Sequence, residues 1–382
     1  MNPHAALTGL GEALAACAAG YGLAAVVAVR TRIRIRAPAP PLRECPPVSI
    51  LKPLCGIESE TYACLRSFCV LEYPQYQLVF GVADPDDPAI AVVARLKAEF
   101  PRCEIAVAVD PTQFGSNRKV GNLLNMLPLA RHDVLVLSDS DVRVSADYLQ
   151  RVASPLLGAD VGIVTCSYRG VPRRNVWSLL GSQFINEWFM PSVRVAALGR
   201  SRCFAFGATI AITRPVLSRI GGFMAIANHL ADDYRLGELT RRLGLRTVLS
   251  ELVVETTVSD GSFGELVRHE LRWLRTIRAL QPLGYLFSLI TFGVPVAAVG
   301  TLLAGGSAPA VGFSVLTCVA RLALHAATRA KGFPAWQLLV LPFRDVLSLA
   351  LWAWSFSTRR VQWRETIYRI SPDGFAMAES NP

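Results

Sequence analysis

The sequence predicts an α/β fold, with a mainly parallel sheet flanked by helices, set between membrane segments at both ends of the chain. Short apolar runs alternate with helix-like segments through the middle of the chain, a pattern typical of a doubly wound parallel sheet. Longer apolar stretches lie near both ends, and 52% of the 382 residues are hydrophobic. That fraction is high for a soluble protein and indicates membrane-embedded segments.

One N-terminal transmembrane helix is predicted from residues 5–29, where Glu12 is the only charge. This length is enough to cross a hydrocarbon core of about 30 Å. No Lys or Arg precedes the stretch and no convincing cleavage site follows it, so we expect a retained anchor rather than a removed signal peptide. The anchor and its basic flank make up residues 1–36.

Arginines directly follow this anchor and predict that the central domain is cytoplasmic. They are Arg30, Arg32, Arg34 and Arg36. Attraction of such residues to anionic headgroups accounts for the net charge of +10, and no nucleic-acid-binding pattern accompanies it. We therefore expect a membrane partner and no nucleic acid. The nine cysteines contain no Cys-x-x-Cys pair, so we expect reduced thiols and no zinc site.

A Pro-rich linker, residues 37–47, precedes the central domain, residues 48–262. The domain begins with a strand-like segment at Val48, and the linker is a stiff spacer. Further strands are predicted at 78–83, 104–109, 133–138, 161–166 and 247–254. Helices are predicted at 58–70, 88–100, 119–129 and 228–243.

A C-terminal helical membrane region is predicted at residues 281–358, followed by a tail at 359–382. Its apolar elements are 282–304, 308–327 and 335–357, with breaks at Gly305-Gly306-Ser307 and Lys331-Gly332. Three crossings would leave the arginine-rich tail outside, against the positive-inside tendency. A re-entrant or interfacial hairpin at Arg344-Asp345 would keep that tail cytoplasmic. We expect these membrane-depth charges to pair or to face a cavity.

Two acids, Asp139 and Asp141, follow the apolar run 133–138. A pair of carboxylates can bind Mg²⁺ together with phosphate oxygens, and the cation would neutralise a departing diphosphate. We predict Asp141 as a metal ligand, with Asp139 contacting the metal or a ribose. A solvated loop or a helix cap is the alternative.

Asp84 and Lys119 are further candidates for binding a nucleotide. Asp84 follows the apolar run 77–83, so it lies with Asp139 at the carboxyl ends of strands, where α/β sheets bind ligands. Its carboxylate could accept hydrogen bonds from a base or a sugar, or it could only belong to a turn. Lys119 lies in a loop entering a helix, which favours phosphate, and a solvated basic loop is the alternative.

Asp232 and Asp233 begin the helical pattern at 228–243. Transfer of a sugar to a hydroxyl group needs a base that can take the hydroxyl proton from hydrogen-bond range. We predict Asp233 as that base. The alternative is that both acids complement the helix dipole.

An amphipathic helix is predicted at 263–280, with His269, Arg272 and Trp273 on one face. Arg272 could bind phosphate while Trp273 forms an apolar wall beside the acceptor. The alternative is an interfacial helix whose Trp lies at the headgroups. An aromatic group upstream could line the acceptor's path or pack in the core; it contains Phe184, Trp188, Phe189 and Met190.

Five motifs follow one another between residues 45 and 280: Lys52-Pro53-Leu54, Asp84 with Asp86-Asp87-Pro88, Asp139-Ser140-Asp141, Ala231-Asp232-Asp233-Tyr234 and Arg272-Trp273. In this order they resemble the motifs of ceramide glucosyltransferase-like enzymes, inverting glycosyltransferases of families 2 and 21. The resemblance implies a GT-A fold, a UDP-sugar donor, Mg²⁺ or Mn²⁺, and single-step inverting transfer to a membrane lipid. It places at the donor site Lys52, Asp84, Lys119, Asp139, His269, Arg272 and Trp273.

Within that group, three segments resemble the bacterial hopanoid-biosynthesis glycosyltransferase: Gly115–Val120, Phe184–Phe189 and His269–Trp273. This resemblance implies UDP-N-acetylglucosamine as donor, bacteriohopanetetrol as acceptor and the bacterial inner membrane as location. The chain departs from the wider family at His269, where Gln or Arg is usual. It departs from the eukaryotic ceramide enzymes at Asp141, where they usually carry Gly.

Other functions remain open on the same motifs. A ceramide or other lipid glucosyltransferase using UDP-glucose is the first alternative. A processive polysaccharide synthase shares the acids and the Arg-Trp pair but needs a channel, which three short elements do not favour. A membrane scaffold that binds a nucleotide without turnover is the alternative from another class.

Overall fold

The computed structural model describes residues 3–31, 45–198, 205–329, 335–363, 366–371 and 374–378. The helices are α1 (Pro3–Arg30), α2 (Thr61–Cys69), α3 (Ala89–Glu99), α4 (Arg118–Met126), α5 (Tyr148–Ala153), α6 (Val176–Gln183), α7 (Met190–Leu198), α8 (Arg214–Arg219), α9 (Asp232–Arg242), α10 (Phe263–Leu280), α11 (Pro282–Phe287), α12 (Gly293–Leu303), α13 (Ala308–Thr328) and α14 (Leu341–Trp354). The strands are β1 (Val48–Pro53), β2 (Tyr76–Val82), β3 (Glu104–Val109), β4 (Val134–Leu137), β5 (Val142–Arg143), β6 (Val161–Pro172), β7 (Ile210–Thr213), β8 (Arg246–Val258), β9 (Arg360–Trp363), β10 (Thr366–Ile370) and β11 (Ala376–Ala378).

The main sheet has eight strands in the order β3-β2-β1-β4-β7-β6-β8-β5. Strand β1 pairs in parallel with β2 on one side and with β4 on the other, and the pairs β2–β3 and β6–β8 are also parallel. Buried apolar clusters pack against the sheet. The predicted α/β fold with a mainly parallel sheet flanked by helices is confirmed. The chain reverses its direction of winding between β1 and β4, which opens a ligand crevice at their carboxyl ends.

Two short strands of this sheet were not predicted. Strand β7 lies antiparallel between β4 and β6, and β5 pairs antiparallel with β8. They contain four and two residues, too few to show a periodic pattern. Their extended conformation is determined by the neighbouring strands.

Helix α9 begins at Asp232, four residues later than predicted. The segment before it pairs instead with the end of the chain: Leu230 N donates to Gly374 O at 3.4 Å, and Ala376 N donates to Asn228 O at 2.8 Å. A partner so distant in sequence is invisible to local periodicity. The helical conformation predicted for residues 228–231 is therefore wrong.

Strands β9–β11 form a separate antiparallel sheet, in a segment for which the sequence predicts only a tail. Two side chains of α10 fasten the residues that lead into it. Arg275 Nη1 donates to Arg360 O at 2.8 Å, and Arg278 Nη2 donates to Thr358 O at 2.6 Å. This C-terminal sheet therefore lies against the helix that carries His269, Arg272 and Trp273.

Among the described residues, three helices are long and apolar enough to cross a membrane: Pro3–Arg30, Ala308–Thr328 and Trp336–Ser357. A fourth apolar pair, Pro282–Thr291 and Gly293–Leu303, is bent by 75°. The predicted N-terminal helix and C-terminal membrane region thus fit the structure. A break at Arg344-Asp345, which the hairpin alternative would need, is absent: the last helix continues through both residues, and the sharp bend lies before Gly293.

The helix can continue because its two charged residues are paired. Arg344 Nη1 and Nη2 each donate to a carboxylate oxygen of Glu270 at 2.7 Å, and Asp345 Oδ1 accepts from Arg321 Nε at 2.9 Å. Pairing satisfies charges that would otherwise be costly at membrane depth. The expected pairing is therefore confirmed, whereas the break in the helix is not.

Helix α1 packs closely on α12 through two glycines. A Cβ added at Gly11 would lie 2.3 Å from Gly300 O, and one at Gly300 would lie 2.6 Å from Gly11 O. Small residues allow such contact between membrane helices. Glu12, the charge within the predicted anchor, accepts a hydrogen bond from Ser307 Oγ at 2.7 Å.

Some sequence features lie outside the described residues. They are Arg32, Arg34 and Arg36, linker residues 37–44, and the break at Lys331-Gly332.

Candidate active site

The crevice at the carboxyl ends of β1 and β4 gathers carboxylates around one lysine. Lys119, in the first turn of α4, places its Nζ 2.7 Å from Asp139 Oδ1 and 3.3 Å from Asp232 Oδ2. Asn117 caps this helix by accepting a hydrogen bond from Val120 N. Burial acts to lower the pKa of Lys119, but the negative charges of Asp139 and Asp232 outweigh it, so the pKa is raised. The lysine therefore stays protonated and bridges two parts of the chain.

Asp233 is held in a fixed orientation beside this group. Its Oδ2 accepts a hydrogen bond from Gly207 N at 2.9 Å, and its Oδ1 accepts one from Tyr234 N at 2.7 Å. Burial, followed by the negative charge of Asp232, raises the pKa of Asp233 to about 6. A carboxylate with this pKa is a stronger base than a solvated one and is still ionised at neutral pH.

Asp141 lies at the same edge of the sheet and is fastened to β8. Its carboxylate accepts a hydrogen bond from the Thr256 hydroxyl, and its carbonyl accepts one from Thr257 N at 3.1 Å. Burial, then the negative charge of Asp139, raises the pKa of Asp141 to about 6. The carboxylates of Asp139 and Asp141 therefore repel each other, and a bound cation would relieve this repulsion.

Lys52 does not open into the crevice. The side chain is fully buried, and its Nζ donates to Asp139 O at 2.8 Å and to Ser138 Oγ at 3.2 Å. It also lies 3.7 Å from the centre of the Phe68 ring. Burial lowers the pKa of Lys52 to about 7. This lysine supports the main chain at Asp139 from below, which differs from the donor contact implied by the resemblance.

Asp84 is exposed and follows the end of β2, and within the described part of the chain no hydrogen bond or ion pair connects it to the carboxylates around Lys119. Its Oδ1 accepts a hydrogen bond from Asp86 N at 2.9 Å, the contact expected of an Asp that starts a turn. Asp87 fastens this turn to the segment after β1 by accepting from Gly56 N at 2.8 Å. Asp84 thus follows β2, whereas Asp139 follows β4. Strand β2 is one strand away from the point between β1 and β4 where the strand order reverses.

The loop before Lys119 is fixed by two distant segments. Asn117 Nδ2 donates to His229 O at 2.8 Å, and Tyr368 of β10 donates to Ser116 O at 3.2 Å. Gly115 packs so closely that an added Cβ would lie 2.5 Å from Ala227 O. The C-terminal sheet thus helps to position a loop of the candidate donor site.

Helix α10 presents the three predicted side chains to different surroundings. His269 Nδ1 lies 3.3 Å from Asp260 Oδ1, and its ring meets that of Trp273 at 5.5 Å. Burial lowers the pKa of Arg272, while the negative charges of Asp139 and Asp233 act to raise it. The Arg272 guanidinium therefore lies within the electrostatic field of the Asp139 and Asp233 carboxylates.

Trp273 packs into an aromatic wall beside the carboxylates. Its ring lies 5.1 Å from Phe189, 6.0 Å from Phe184 and 6.3 Å from Tyr168. Burial, then the negative charge of Asp233, raises the pKa of Tyr168 well above its usual value. The aromatic group Phe184–Phe189, whose role the sequence left open, is thus packed together and borders the crevice.

Three residues of this site were missed from the sequence: Tyr168, Gly207 and Thr256. A Cβ at Gly207 would lie 2.9 Å from Lys119 Nζ and 3.0 Å from Asp139 Oδ2, so glycine is needed there for close approach. None belongs to a recognisable motif. The sequence signal for Gly207 is the glycine itself, and the strand that follows it, β7, was not predicted.

The sequence is similar to that of a known protein family and of several known enzymes. The profile of glycosyl transferase family 21 matches residues 12–376. The chain belongs to glycosyl transferase family 21. This family 21 chain is 24% identical over 241 residues to ceramide glucosyltransferase 3 of Caenorhabditis elegans, covering 62% of the chain and 52% of that relative. It is 32% identical over 123 residues to ceramide glucosyltransferase of Komagataella phaffii, covering 31% and 24%. The family 21 chain spans about half the length, or less, of these curated relatives.

A solved structure shares the fold of this family 21 chain. A mannosyltransferase from Pyrobaculum calidifontis, in complex with GDP-mannose and Mn²⁺, superposes with a TM-score of 0.53 at 19% identity. The match covers 92% of the family 21 chain and 97% of the mannosyltransferase. The predicted GT-A-like fold is therefore confirmed.

Proposed function

We propose that this protein transfers one sugar from a UDP-sugar to a lipid hydroxyl, with inversion at the anomeric carbon. The observation that carries the proposal is the convergence of Asp139, Asp141 and Asp233 in one crevice beneath a helix that packs on the membrane elements. Lys119 pairs with Asp139 and with Asp232, the neighbour of Asp233. Helix α10 connects the crevice to α14 through the ion pair between Glu270 and Arg344.

Asp233 is the proposed general base. Its carboxylate takes the proton of the acceptor hydroxyl as that oxygen attacks the anomeric carbon and the bond to UDP breaks. Attack from the face opposite the leaving group inverts the stereocentre. The two backbone N–H groups that bind Asp233 support this role, because they fix the orientation of the carboxylate while burial and Asp232 still hold its pKa at about 6.

Asp139 and Asp141 are the proposed metal ligands. The described residues contain no group of three or more His, Cys, Asp or Glu able to hold a metal. Two carboxylates nevertheless suit Mg²⁺ or Mn²⁺ in a nucleotide site, where diphosphate oxygens complete the coordination. The mutual repulsion of these carboxylates supports the fit, since bound metal would relieve it. The metal would also neutralise charge on the departing diphosphate.

Lys119 and Arg272 are the proposed partners of the diphosphate, because both are cations beside the acidic group. Asp84 remains a proposed contact of the base or ribose, and Trp273 with His269 a proposed wall of the sugar site. For Lys52 we propose a supporting role through the Asp139 carbonyl, because full burial keeps its ammonium group from the donor.

The acceptor is proposed to be ceramide or another neutral lipid, with UDP-glucose as donor for ceramide. The curated relatives named above are ceramide glucosyltransferases, which supports this alternative more than the hopanoid assignment. Transfer of N-acetylglucosamine to bacteriohopanetetrol remains a proposal that rests on the motifs Gly115–Val120, Phe184–Phe189 and His269–Trp273. A site on the cytoplasmic face of a bacterial inner membrane would suit both, since Arg30 ends the first span.

Transfer by the full-length protein in phospholipid vesicles tests the function. UDP-glucose and UDP-N-acetylglucosamine would each be supplied with Mg²⁺ and with ceramide or bacteriohopanetetrol, and the products separated by mass. One product with a single sugar is expected. A ladder of products would indicate a polysaccharide synthase, and donor binding without turnover would indicate a scaffold.

Asp233→Asn tests the base, because it keeps the size of the side chain and removes its basicity. We expect kcat to fall by about 10²–10⁴-fold while the donor KM changes little. Asp147→Asn is the matched control, because Asp147 is a partly exposed residue paired with Arg151. Unimpaired transfer by Asp233→Asn would remove Asp233 from the catalytic role.

A further inference from the structure

A small cavity lies among the membrane helices, next to the aromatic wall. Its volume, measured as the space open to water-sized molecules, is about 50 Å³, enough for a small polar group, and it is bounded by α1, the end of α6, α13, α14 and the segment Phe184–Trp188. That segment is π-helical, an irregularity often found at functional sites. The bend between Thr291 and Gly293 completes the wall.

The wall of the cavity includes a buried side-chain amide for which the described residues supply no partner. Gln183 lines it and is 3% exposed, and within the described part of the chain neither its Nε2 nor its Oε1 has a hydrogen-bond partner. Buried polar atoms are nearly always satisfied, so an unpaired amide indicates a missing ligand or water. Because the amide offers a donor and an acceptor together, its complement is a hydroxyl or another amide.

The charged side chains that line the cavity are already paired. Arg321 binds Glu187 at 2.6 Å and Asp345 at 2.9 Å, and Arg344 binds Glu270 at 2.7 Å. A charged headgroup would therefore have to break one of these pairs or remain unpaired in a medium of low dielectric constant. The site accordingly favours a neutral ligand.

The cavity lies near the ends of two apolar helices. Gly22 is eight residues from the end of α1, and Arg321 is seven residues from the end of α13, which places the cavity about 10–12 Å inside those ends. The end of α1 touches the central domain, because Arg194 Nη1 donates to Thr31 O at 3.3 Å. The cavity is therefore on the catalytic side of the membrane.

The aromatic wall separates this cavity from the carboxylates. Phe184 and Trp188 line the cavity and stack on each other at 4.7 Å. Phe184 lies 6.0 Å from Trp273, which borders the crevice. The cavity and the crevice therefore lie on either side of one aromatic wall.

We infer that this cavity binds the acceptor lipid through a neutral hydroxyl or amide group other than the one that reacts, and that Gln183 is its specificity-determining contact. This inference rests on the proposed transfer to a lipid. Acceptors bearing a second hydroxyl or an amide bind best, and anionic phospholipids do not occupy the site.

Gln183→Leu in the full-length protein tests the inference, because it removes both hydrogen-bonding atoms at similar size. In phosphatidylcholine vesicles we expect the acceptor KM for ceramide or bacteriohopanetetrol to rise about tenfold, a change typical of one lost polar contact. The donor KM and kcat at saturating acceptor should stay within about twofold. Ser182→Ala is the matched control, since the buried hydroxyl of this neighbouring residue already donates a hydrogen bond to Leu179 O. Gln183→Asn, which shortens the side chain but keeps the amide, should give an intermediate effect and serves if the Leu variant fails to fold.

A chemical counterpart separates this inference from the proposed function. An acceptor whose second polar group is methylated should bind wild-type protein and Gln183→Leu equally, so the difference between them disappears. Lipid retention without donor, measured by native mass spectrometry, should fall in the Gln183→Leu variant. Retention that depends on Gln183 in a protein that transfers no sugar would support the site and overturn the proposed function. An unchanged acceptor KM in Gln183→Leu, with transfer intact, would overturn the site alone.

Discussion

At the scale of single residues, the carboxylates of the crevice differ by what surrounds them. Asp232 forms an ion pair with Lys119, whereas Asp233 accepts hydrogen bonds from two backbone N–H groups and has a pKa that burial and Asp232 raise to about 6. The sequence places these two acids side by side and cannot separate them. Their surroundings therefore favour Asp233 as the base and Asp232 as the residue that tunes it.

The pH dependence of transfer follows from this arrangement. The base acts when deprotonated, so kcat/KM should rise with pH through about 6 and level off above it, following the raised pKa of Asp233. Asp232→Asn removes the neighbouring charge that raises this pKa, and the midpoint should move to lower pH. Initial rates between pH 4.5 and 8 would show this, and a midpoint unmoved in Asp232→Asn would contradict the assignment.

At the scale of elements, α10 links the crevice to the membrane region. It carries Arg272 and Trp273, while Glu270, three residues before Trp273, pairs with Arg344 of α14, and both partners are 2% exposed. The motif around Arg272 thus combines a candidate substrate face with a structural ion pair. Loss of one partner would leave a buried charge and loosen the helix.

We therefore expect Arg344→Met to lower the thermal midpoint strongly, since an unpaired buried charge costs about 3–5 kcal/mol. The double variant Glu270→Leu with Arg344→Met should recover most of that loss, because apolar replacement of a buried pair is often neutral. Thermal unfolding of the detergent-solubilised protein measures both. A double variant as unstable as the single one would show that the pair is not what the helix needs.

The C-terminal sheet is the second element that reaches the site. Tyr368 donates to Ser116 O in the loop before Lys119, and Trp363 lies 5.9 Å from the Arg272 guanidinium. Both contacts fall on parts of the proposed diphosphate site. The sheet should therefore affect donor binding more than acceptor binding.

Tyr368→Phe should raise the donor KM by several fold and leave the acceptor KM unchanged, because it releases the Ser116 carbonyl without altering the ring. Tyr62→Phe is the matched control, as its hydroxyl binds Glu99 on α3. Steady-state kinetics with varied donor would show the difference. Equal donor KM values in the two variants would contradict a role for the sheet.

At the scale of the whole molecule, the N-terminal span packs against the C-terminal ones. Gly11 and Gly300 allow the backbones of α1 and α12 to meet, and Glu12 accepts a hydrogen bond from Ser307. A cavity bounded by α1, α13 and α14 exists only if the two ends of the chain assemble. The first span is thus part of the folded membrane region.

Gly11→Ala should lower the thermal midpoint, because its Cβ would meet Gly300 O and overpacking costs about 1–3 kcal/mol. Gly9→Ala is the matched control on the same helix, where an added Cβ meets nothing within 4 Å, and it should be neutral or slightly stabilising. Similar midpoints for both variants would contradict close packing of α1 on α12.

The sequence by itself determined the architecture and most candidate residues of the site. Apolar runs of strand length placed Asp139 and Asp84 at strand ends, and hydropathy located the membrane regions, because these properties depend on local composition. Motif order identified Asp233, Arg272 and Trp273 as candidates. These features need no knowledge of distant contacts.

Only the tertiary structure decided which residues meet. Strands β5 and β7, the C-terminal sheet, the late start of α9 and the pairing of Glu270 with Arg344 all depend on partners far away in sequence. The same holds for the burial of Lys52 beneath Asp139 and for the unpaired amide of Gln183. Pairing, burial and charge environment arise from packing between distant segments, which local pattern does not encode.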